Sequence, residues 1–455
     1  MGNKVTPRTL SGFMELLPQD QLKFDKIVRT LQDVYASYGF LPLDTPILES
    51  SEVLLAKAGG ETEKQIYRFN KGDTDLAMRF DLTVPLAKYV AKNYSSLTFP
   101  FKRWQIGKVY RGERAQKGRF REFYQADIDI IGDTKLDIIN DAEVPSIIYN
   151  IFTSLGLDDF TIRINNRKVL SGFFEILALS DNVTDILRIV DKIEKIGREA
   201  VAEELGELGA TPKQCQQILD FISISGTTQQ VIDALRTYGG QNETFDAGVD
   251  ELEAVAHGIA AFSVPEKNYR IDLCIARGLD YYTGTVYETT FNKHPEIGSI
   301  CSGGRYDNLA EFYTDKKLPG VGISIGLTRL FYILSTMDYL SDGASAGADV
   351  LVIPMTEDLS YAIGVSTTLR GLGIRTQIYF EKKKFKHKIG YADKLGIPYA
   401  AFIGEDEVAA GKVTVKNMRT GEQTTDTLEV VAAAMKEELF QARAEKIIDL
   451  TRGQN

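Results

Sequence analysis

Residues 101–125 read FKRWQIGKVYRGERAQKGRFREFYQ, and Ala126 to Ile131 continue them as ADIDII. The quoted stretch holds eight Lys or Arg against two Glu, interleaved with aromatic residues. From Phe123 to Ile131, Tyr124, Ala126, Ile128 and Ile130 alternate with Gln125, Asp127 and Asp129, which predicts a strand with one polar face. A first strand running into Tyr110-Arg111-Gly112-Glu113, a basic turn and this returning strand make a hairpin that presents guanidinium groups to phosphate. Arginine suits that task because its planar fork grips phosphate oxygens in pairs. A solvated basic hairpin would carry the same charges.

Working outward, Leu22, Phe24, Ile27, Leu31, Val34 and Tyr35 recur at helical spacing, which predicts a helix over 20–38 with Gly39 as its stop. Residues 40–48 read as extended, punctuated by Pro42 and Pro46. Residues 171–260 differ: they hold 16 Asp and Glu against 6 Lys and Arg, with a helical period from Ile186 to Leu205. We read them as a helical insertion. The net charge of the chain is −10, and this segment accounts for all of it, leaving the remainder free to carry basic faces. Strand patterns resume at 269–290 and 318–326, so the first domain is interrupted and then completed. After the small-residue linker 341–348, a separate α/β pattern begins, with strands predicted at 350–354 and 376–380 around a helix at 361–372.

Two more clusters carry chemistry. Ala276 to Glu288 reads ARGLDYYTGTVYE, in which strand alternation would send one of Tyr281 and Tyr282 to the core and the other to a pocket. An ordinary hairpin turning at Thr-Gly would also fit. Gly320, Gly322, Ser324 and Gly326 fall on one strand face, and a face so bare suggests that something flat lies against the backbone. Close packing against another element is the competing reading. No P-loop string occurs, so a nucleotide would bind by another route. The five lysines of EKKKFKHK at 381–388 suit a solvated face, a guarded strand edge or an RNA backbone. Three cysteines and three histidines are scattered, which excludes a disulfide framework and any zinc spacing and suits a reducing cytoplasm. The start MGNKVT fits the loose myristoylation pattern, which chance explains better. No apolar run approaches bilayer length and no secretory signal is evident, so no membrane association is expected.

Taken together, these strings resemble the histidyl-tRNA synthetase family of class II aminoacyl-tRNA synthetases. Its three class motifs look like Gln21 to Pro46, Phe101 to Asp129 and Gly320 to Leu330, and its own signatures look like RGLDYYTGTVYE at 277–288 and SGGRYDNL at 302–309. The resemblance implies an α+β chain. A class II antiparallel-sheet catalytic domain would occupy 1–170 and 263–340, around the helical insertion at 171–262. An α/β anticodon-binding domain would follow at 348–442. It further implies that Asp81, Leu82, Thr83 and Gln125 surround the α-amino group of L-histidine. Asp129 and Tyr282 would read the imidazole, with Tyr281 in the same pocket. Arg111 and Arg277 would act at the α-phosphate and the histidine carboxylate, and Arg119, Gln125 and Arg329 would contact ATP. Magnesium would come with ATP and no prosthetic group is implied. The partners would be tRNA(His) and a second copy of the chain, in the cytoplasm. One departure stands out: Thr328 occupies a place where the third motif usually has Glu. A regulatory subunit of the ATP phosphoribosyltransferase of histidine biosynthesis borrows this fold; it would lack the C-terminal domain and show eroded signatures. An RNA-binding or signalling relative that had lost activation would lack Arg111 or Arg277.

Overall fold

The computed structural model describes residues 4–56, 61–114, 118–276, 281–336 and 347–452, the side chains within 61–62 and 442–452 excepted. Strands are numbered in chain order: β1 (Leu41–Pro42), β2 (Leu48–Ser50), β3 (Arg68–Lys71), β4 (Thr74–Met78), β5 (Phe101–Tyr110), β6 (Glu122–Ile131), β7 (Phe160–Asn166) and β8 (Tyr269–Ile271). They continue as β9 (Thr285–Phe291), β10 (Cys301–Tyr306), β11 (Gly320–Ile325), β12 (Val350–Pro354), β13 (Thr376–Ile378), β14 (Tyr399–Ile403), β15 (Val413–Asn417) and β16 (Gln423–Asp426). The chain divides into two compact units, Met1–Glu15 with Ile27–Met337, and Leu16–Lys26 with Asp338–Asn455.

The first unit is built on an eight-stranded sheet in the order β1-β5-β6-β11-β10-β9-β7-β8. All central pairs are antiparallel, and only the edge pairs β1–β5 and β7–β8 are parallel. The opening hairpin forms over its whole length, with Phe101 opposite Ile131 and Tyr110 opposite Glu122. A long helix, Pro18–Ser37, precedes the sheet and ends where Gly39 takes φ +76°, a conformation that glycine adopts without strain. Its Tyr35 is fully buried, lies 6.3 Å from the Trp104 ring and donates to the Ala126 carbonyl. A three-stranded antiparallel sheet, β2-β4-β3, belongs to the same unit.

The acidic segment is helical, as its period predicts, but the stretch from Ile186 to Leu205 is not one helix. Val183–Val190 and Ile193–Glu207 divide it, and Gly197 at φ +83° interrupts the second. The last of these helices, Glu243–Ala261, packs tightly against Ile139–Ser154: a Cβ on Gly258 would come within 2.5 Å of the Ala142 Cβ. Several basic residues there are paired with neighbouring carboxylates, while Lys195 is exposed. Arg188 pairs with Asp185, Lys192 with Glu204, and Arg198 with Asp220.

The second unit holds a mixed sheet, β13-β12-β14-β15-β16, parallel across its first three strands and antiparallel beyond. Val350 and Val352 of β12 enter one apolar cluster, and Leu351 and Ile353 enter another. Both faces are therefore covered, which is why β12 reads as an unbroken apolar run. β13 stops at Ile378, two residues short of expectation, and the lysine run is not a strand edge. Lys382 to Lys384 are exposed ahead of a helix at Phe385–Lys394, while Lys388 is half-buried and donates to the Pro354 carbonyl.

Candidate active site

The polar faces of neighbouring strands meet in register. Arg103 of β5 lies opposite Asp129 of β6, which lies opposite Gly322 of β11; one step along the sheet, Gln105, Asp127 and Ser324 repeat the alignment. Side chains two residues apart share a strand face, so these rows form one polar floor. Arg103 is fully buried; its Nη2 lies 2.6 Å from Asp129 Oδ2 and donates to the Leu82 carbonyl at 3.2 Å. Tyr306 donates to Asp129 Oδ1 at 2.7 Å, and Gln125 Nε2 donates to Ser324 Oγ at 2.5 Å. Gln125 Oε1, Asp127 Oδ1 and Asp129 Oδ2 are buried acceptors in the cavity lining with no hydrogen-bond partner in the structure. Buried polar atoms are normally satisfied, so these three point to a ligand that donates.

Loops close the remaining sides of a cavity of about 470 Å³. Asp81 precedes the helix Thr83–Asn93 and accepts from the N–H groups of Thr83 and Val84 at 3.2 and 2.9 Å. Arg111, just past the end of β5, lies over the Phe80 ring at 4.4 Å and the Phe123 ring at 5.1 Å, and donates to the Phe80 carbonyl. Arg329, in the helix Leu327–Thr336, donates to the carbonyls of Ser299 and Ile297, and Arg119 lies 3.6 Å from Glu113.

Carboxylates and arginines share this cavity. Burial pushes Asp127 up to about 7 and Asp129 up to about 6, with Arg103 opposing both shifts and the neighbouring carboxylates adding to them. Burial also raises Asp81, against hydrogen bonds from Val84 and Thr83 and the charge of Arg111. Burial lowers Arg111, against the charges of Asp81, Glu113 and Asp127, and burial together with Arg119 lowers Arg329. Each of these ionised forms is poorly solvated, so each gains more from a counter-charge than it would in water.

A family model for histidyl-tRNA synthetase matches residues 12–330, and one for an anticodon-binding domain matches residues 349–438. The chain belongs to the histidyl-tRNA synthetase family. A histidine–tRNA ligase of Clostridium tetani is 58% identical over 433 residues, which is 95% of this chain and 98% of the relative. One from Finegoldia magna is 46% identical over 95% of this chain and all of its own length. Among solved structures, a histidyl-tRNA synthetase of a Nostoc species superposes with a TM-score of 0.87 at 43% identity, over 96% of this chain and all of that one. A protein of Bacillus halodurans titled as an ATP phosphoribosyltransferase regulatory subunit/histidyl-tRNA synthetase shares the fold alone, at 19% identity and a TM-score of 0.71, over 85% of this chain and 97% of that one.

Of the residues that the family motifs single out, Asp81, Thr83, Arg111, Arg119, Gln125, Asp129, Tyr281, Tyr282 and Arg329 all line the one cavity. Arg277 lies outside the described residues. Leu82 is not among the lining residues: its side chain is fully buried over Gly107 of β5, and its carbonyl accepts from Arg103. The two tyrosines precede β9 rather than sit in it; both rings line the cavity 5.0 Å apart, edge to face, and Tyr281 also belongs to a buried apolar cluster, with Tyr282 packed against it. The glycine face is only partly a bed for a ligand. A Cβ at Gly320 would strike the Tyr306 ring at 2.5 Å, and one at Gly322 the Ile128 carbonyl oxygen at 2.3 Å, so close packing claims those two positions.

The basic hairpin also presents fewer guanidinium groups than its charge implies. Lys102 pairs with Glu143, Lys108 with Glu122, Arg103 with Asp129, and Arg121 donates to the Glu113 carbonyl; Arg111 and Arg119 are the basic hairpin residues lining the cavity. Thr328 faces inward, buried, and accepts from the Tyr124 N–H of β6 at 2.8 Å. It ties the third motif to the second instead of reaching into the cavity. Asp127, Ser324 and Tyr306 also line the cavity, and Arg103 is buried against Asp129; the family motifs do not single them out. The signal for Arg103 was present in the sequence, since Arg103 and Gln105 share a strand face just as Asp127 and Asp129 do.

Proposed function

We infer that the chain works as a histidine–tRNA ligase. It activates L-histidine with ATP to histidyl-adenylate and diphosphate, then transfers histidine to the 3′ end of tRNA(His), releasing AMP. Family membership over nearly the whole chain supports this, and the cavity lining is the observation that carries it: the carboxylates Asp81, Asp127 and Asp129 share one cavity with Arg111, Arg119 and Arg329.

In this reading the histidine ammonium lies among Asp81, Thr83 and the unpartnered Gln125 Oε1. Asp129 and Tyr282 bracket the imidazole, and Tyr281 packs beside it. The histidine carboxylate attacks the α-phosphorus; a C–O–P bond forms as the bond to diphosphate breaks in line. Arg111, fixed between two aromatic rings, meets the charge that builds on the phosphoryl oxygens without having to reorganise. Arg277 joins it at the carboxylate, and Arg119 and Arg329 hold the nucleotide. A magnesium ion bound with ATP would offset the charge of the departing diphosphate. Glu113 and Glu288, which line the cavity and pair with Arg119 and Arg163, carry the hard oxygen donors that would hold it.

The domain roles follow. Residues 1–170 and 263–340 carry catalysis, and 171–262 form the insertion. Residues 348–442 meet the tRNA, where exposed Phe380 and Phe385 flank Lys382 to Lys384 as stacking and charge partners for an unpaired RNA segment. The ligase is a cytoplasmic homodimer, and exposed apolar Leu41, Ile47, Leu48 and Phe69 of the first unit supply an interface.

ATP–diphosphate exchange with each amino acid in turn tests the reading. Exchange is expected with histidine alone; exchange with none removes the ligase assignment, and exchange with another amino acid removes histidine. In the same assay Arg277→Ala abolishes exchange while histidine binding survives, weakened.

A further inference from the structure

Asp129 is buried; Tyr306 donates to its Oδ1, and Arg103 Nη2 lies 2.6 Å from its Oδ2 as an ion pair, an oxygen that accepts no hydrogen bond. Arg103 is equally buried, and its second tie, to the Leu82 carbonyl, lies between Asp81 and Thr83. A single guanidinium therefore joins the strand that reads the side chain of the amino acid to the loop that meets its ammonium. The pair also has a consequence for charge. Asp129 and Arg103 form a contact ion pair, whereas Asp127, about 7 Å nearer Gln125 along β6, feels Arg103 only through space and has no cation in contact among the described residues. Among the described residues, the other charged or titratable groups facing this end are Asp81 from the loop before the helix, Arg111 beyond β5, and Tyr281, Tyr282 and Tyr306. None of the three tyrosines supplies positive charge, and burial raises all three away from ionisation.

We propose that Arg103 is a specificity-determining positioning residue: by neutralising Asp129, it makes the pocket read the imidazole as a neutral hydrogen-bond donor and not as a cation. An ionised carboxylate with free lone pairs accepts the ring N–H, and a pair already balanced has no second positive charge to seek. The net negative charge stays at the Asp127 and Asp81 end, where the ammonium belongs. This rests on the histidine reading of the site. Removing Arg103 leaves Asp129 as a buried charge without a counter-ion, which it can resolve by drawing a proton onto the bound ring.

The experiment uses full-length protein and histidine labelled with ¹⁵N in the ring, bound at pH 7.5 and read by solid-state NMR, beside exchange kinetics. In the wild type the bound ring is expected to show one protonated and one bare nitrogen. In Arg103→Met the ring is expected to carry two protonated nitrogens, with histidine KM raised on the order of 100-fold and ATP KM within a few-fold. Arg103→Lys retains the charge and is expected to restore the neutral ring even where its geometry weakens binding. A doubly protonated ring in the wild type overturns the proposal, and so does a ring in Arg103→Met that matches the wild type. If Arg103→Met does not fold, a cationic ring in Arg103→Lys overturns it instead. No histidine binding by the wild type removes the ligase reading itself, which is a separate failure.

Discussion

Asp127 shows how a binding site is held at a cost to its own fold. Its carboxyl rises from 3.8 to about 7 because it is buried, with Arg103 giving only partial relief and Asp129 working against it. A raised carboxylate favours the folded state fully below its unfolded value near 4, and that contribution is lost as pH climbs towards 7. Above pH 7 the ionised group opposes folding by an amount on the order of a few kcal/mol. Asp127→Asn removes the titration. Without substrates it should melt several degrees above the wild type at pH 8, with the gap closing by pH 5; thermal melts at the two pH values check this, and an equal gap at both contradicts it. The same variant should bind histidine more weakly, since Asp127 and Asp81 hold the negative charge that an ammonium answers.

At the level of elements, the site exists because β5, β6 and β11 align their polar faces, and β11 achieves this by lacking side chains. A Cβ on Gly322 would lie 2.3 Å from the Ile128 carbonyl oxygen and 2.4 Å from Asp129 Oδ1, a backbone group and a fixed carboxylate, neither of which can swing away. Gly322→Ala should therefore cost about 1–3 kcal/mol of stability and raise histidine KM more than ATP KM. Gly364 is the control. It lies in the helix Ser360–Gly371 with nothing near its would-be Cβ, so Gly364→Ala should gain roughly 0.5–1 kcal/mol and leave exchange unchanged. Denaturant melts and exchange kinetics on the two variants separate close packing from general intolerance of a methyl group. Thr328 makes the same point from the other side: a short hydroxyl that reaches only the Tyr124 N–H works as a clamp between elements.

Across the whole molecule, the charge budget of −10 is local: the acidic helices pair most of their basic residues internally, and the second unit displays its lysines in the open. The first unit exposes Leu41 of the edge strand β1, with Ile47, Leu48 and Phe69 from the residues after it. A homodimer that covers them should sediment as one species at micromolar protein, and Leu41→Glu should shift it towards monomer. A wild type that sediments as a monomer would contradict the dimer.

The sequence by itself determined which elements form and which residues gather. Helical and strand periods located the first helix, the hairpin, the acidic insertion and the C-terminal α/β unit, because those patterns record one-sided burial that each element carries alone. The long signature strings were enough to point to the family, and nine of the singled-out residues meet in one cavity. Tertiary structure decided what each charge is for. Eight basic residues in the hairpin look alike in sequence, yet burial and cross-strand register assign Arg103 to Asp129 and leave Arg111 facing the cavity. Likewise the glycine face is a packing surface at Gly320 and Gly322, since what a missing Cβ makes room for depends on the neighbour that arrives. Local pattern says that a residue is polar and which way its strand alternates; only the partner strand determines whether that polarity meets water, a substrate or an opposite charge.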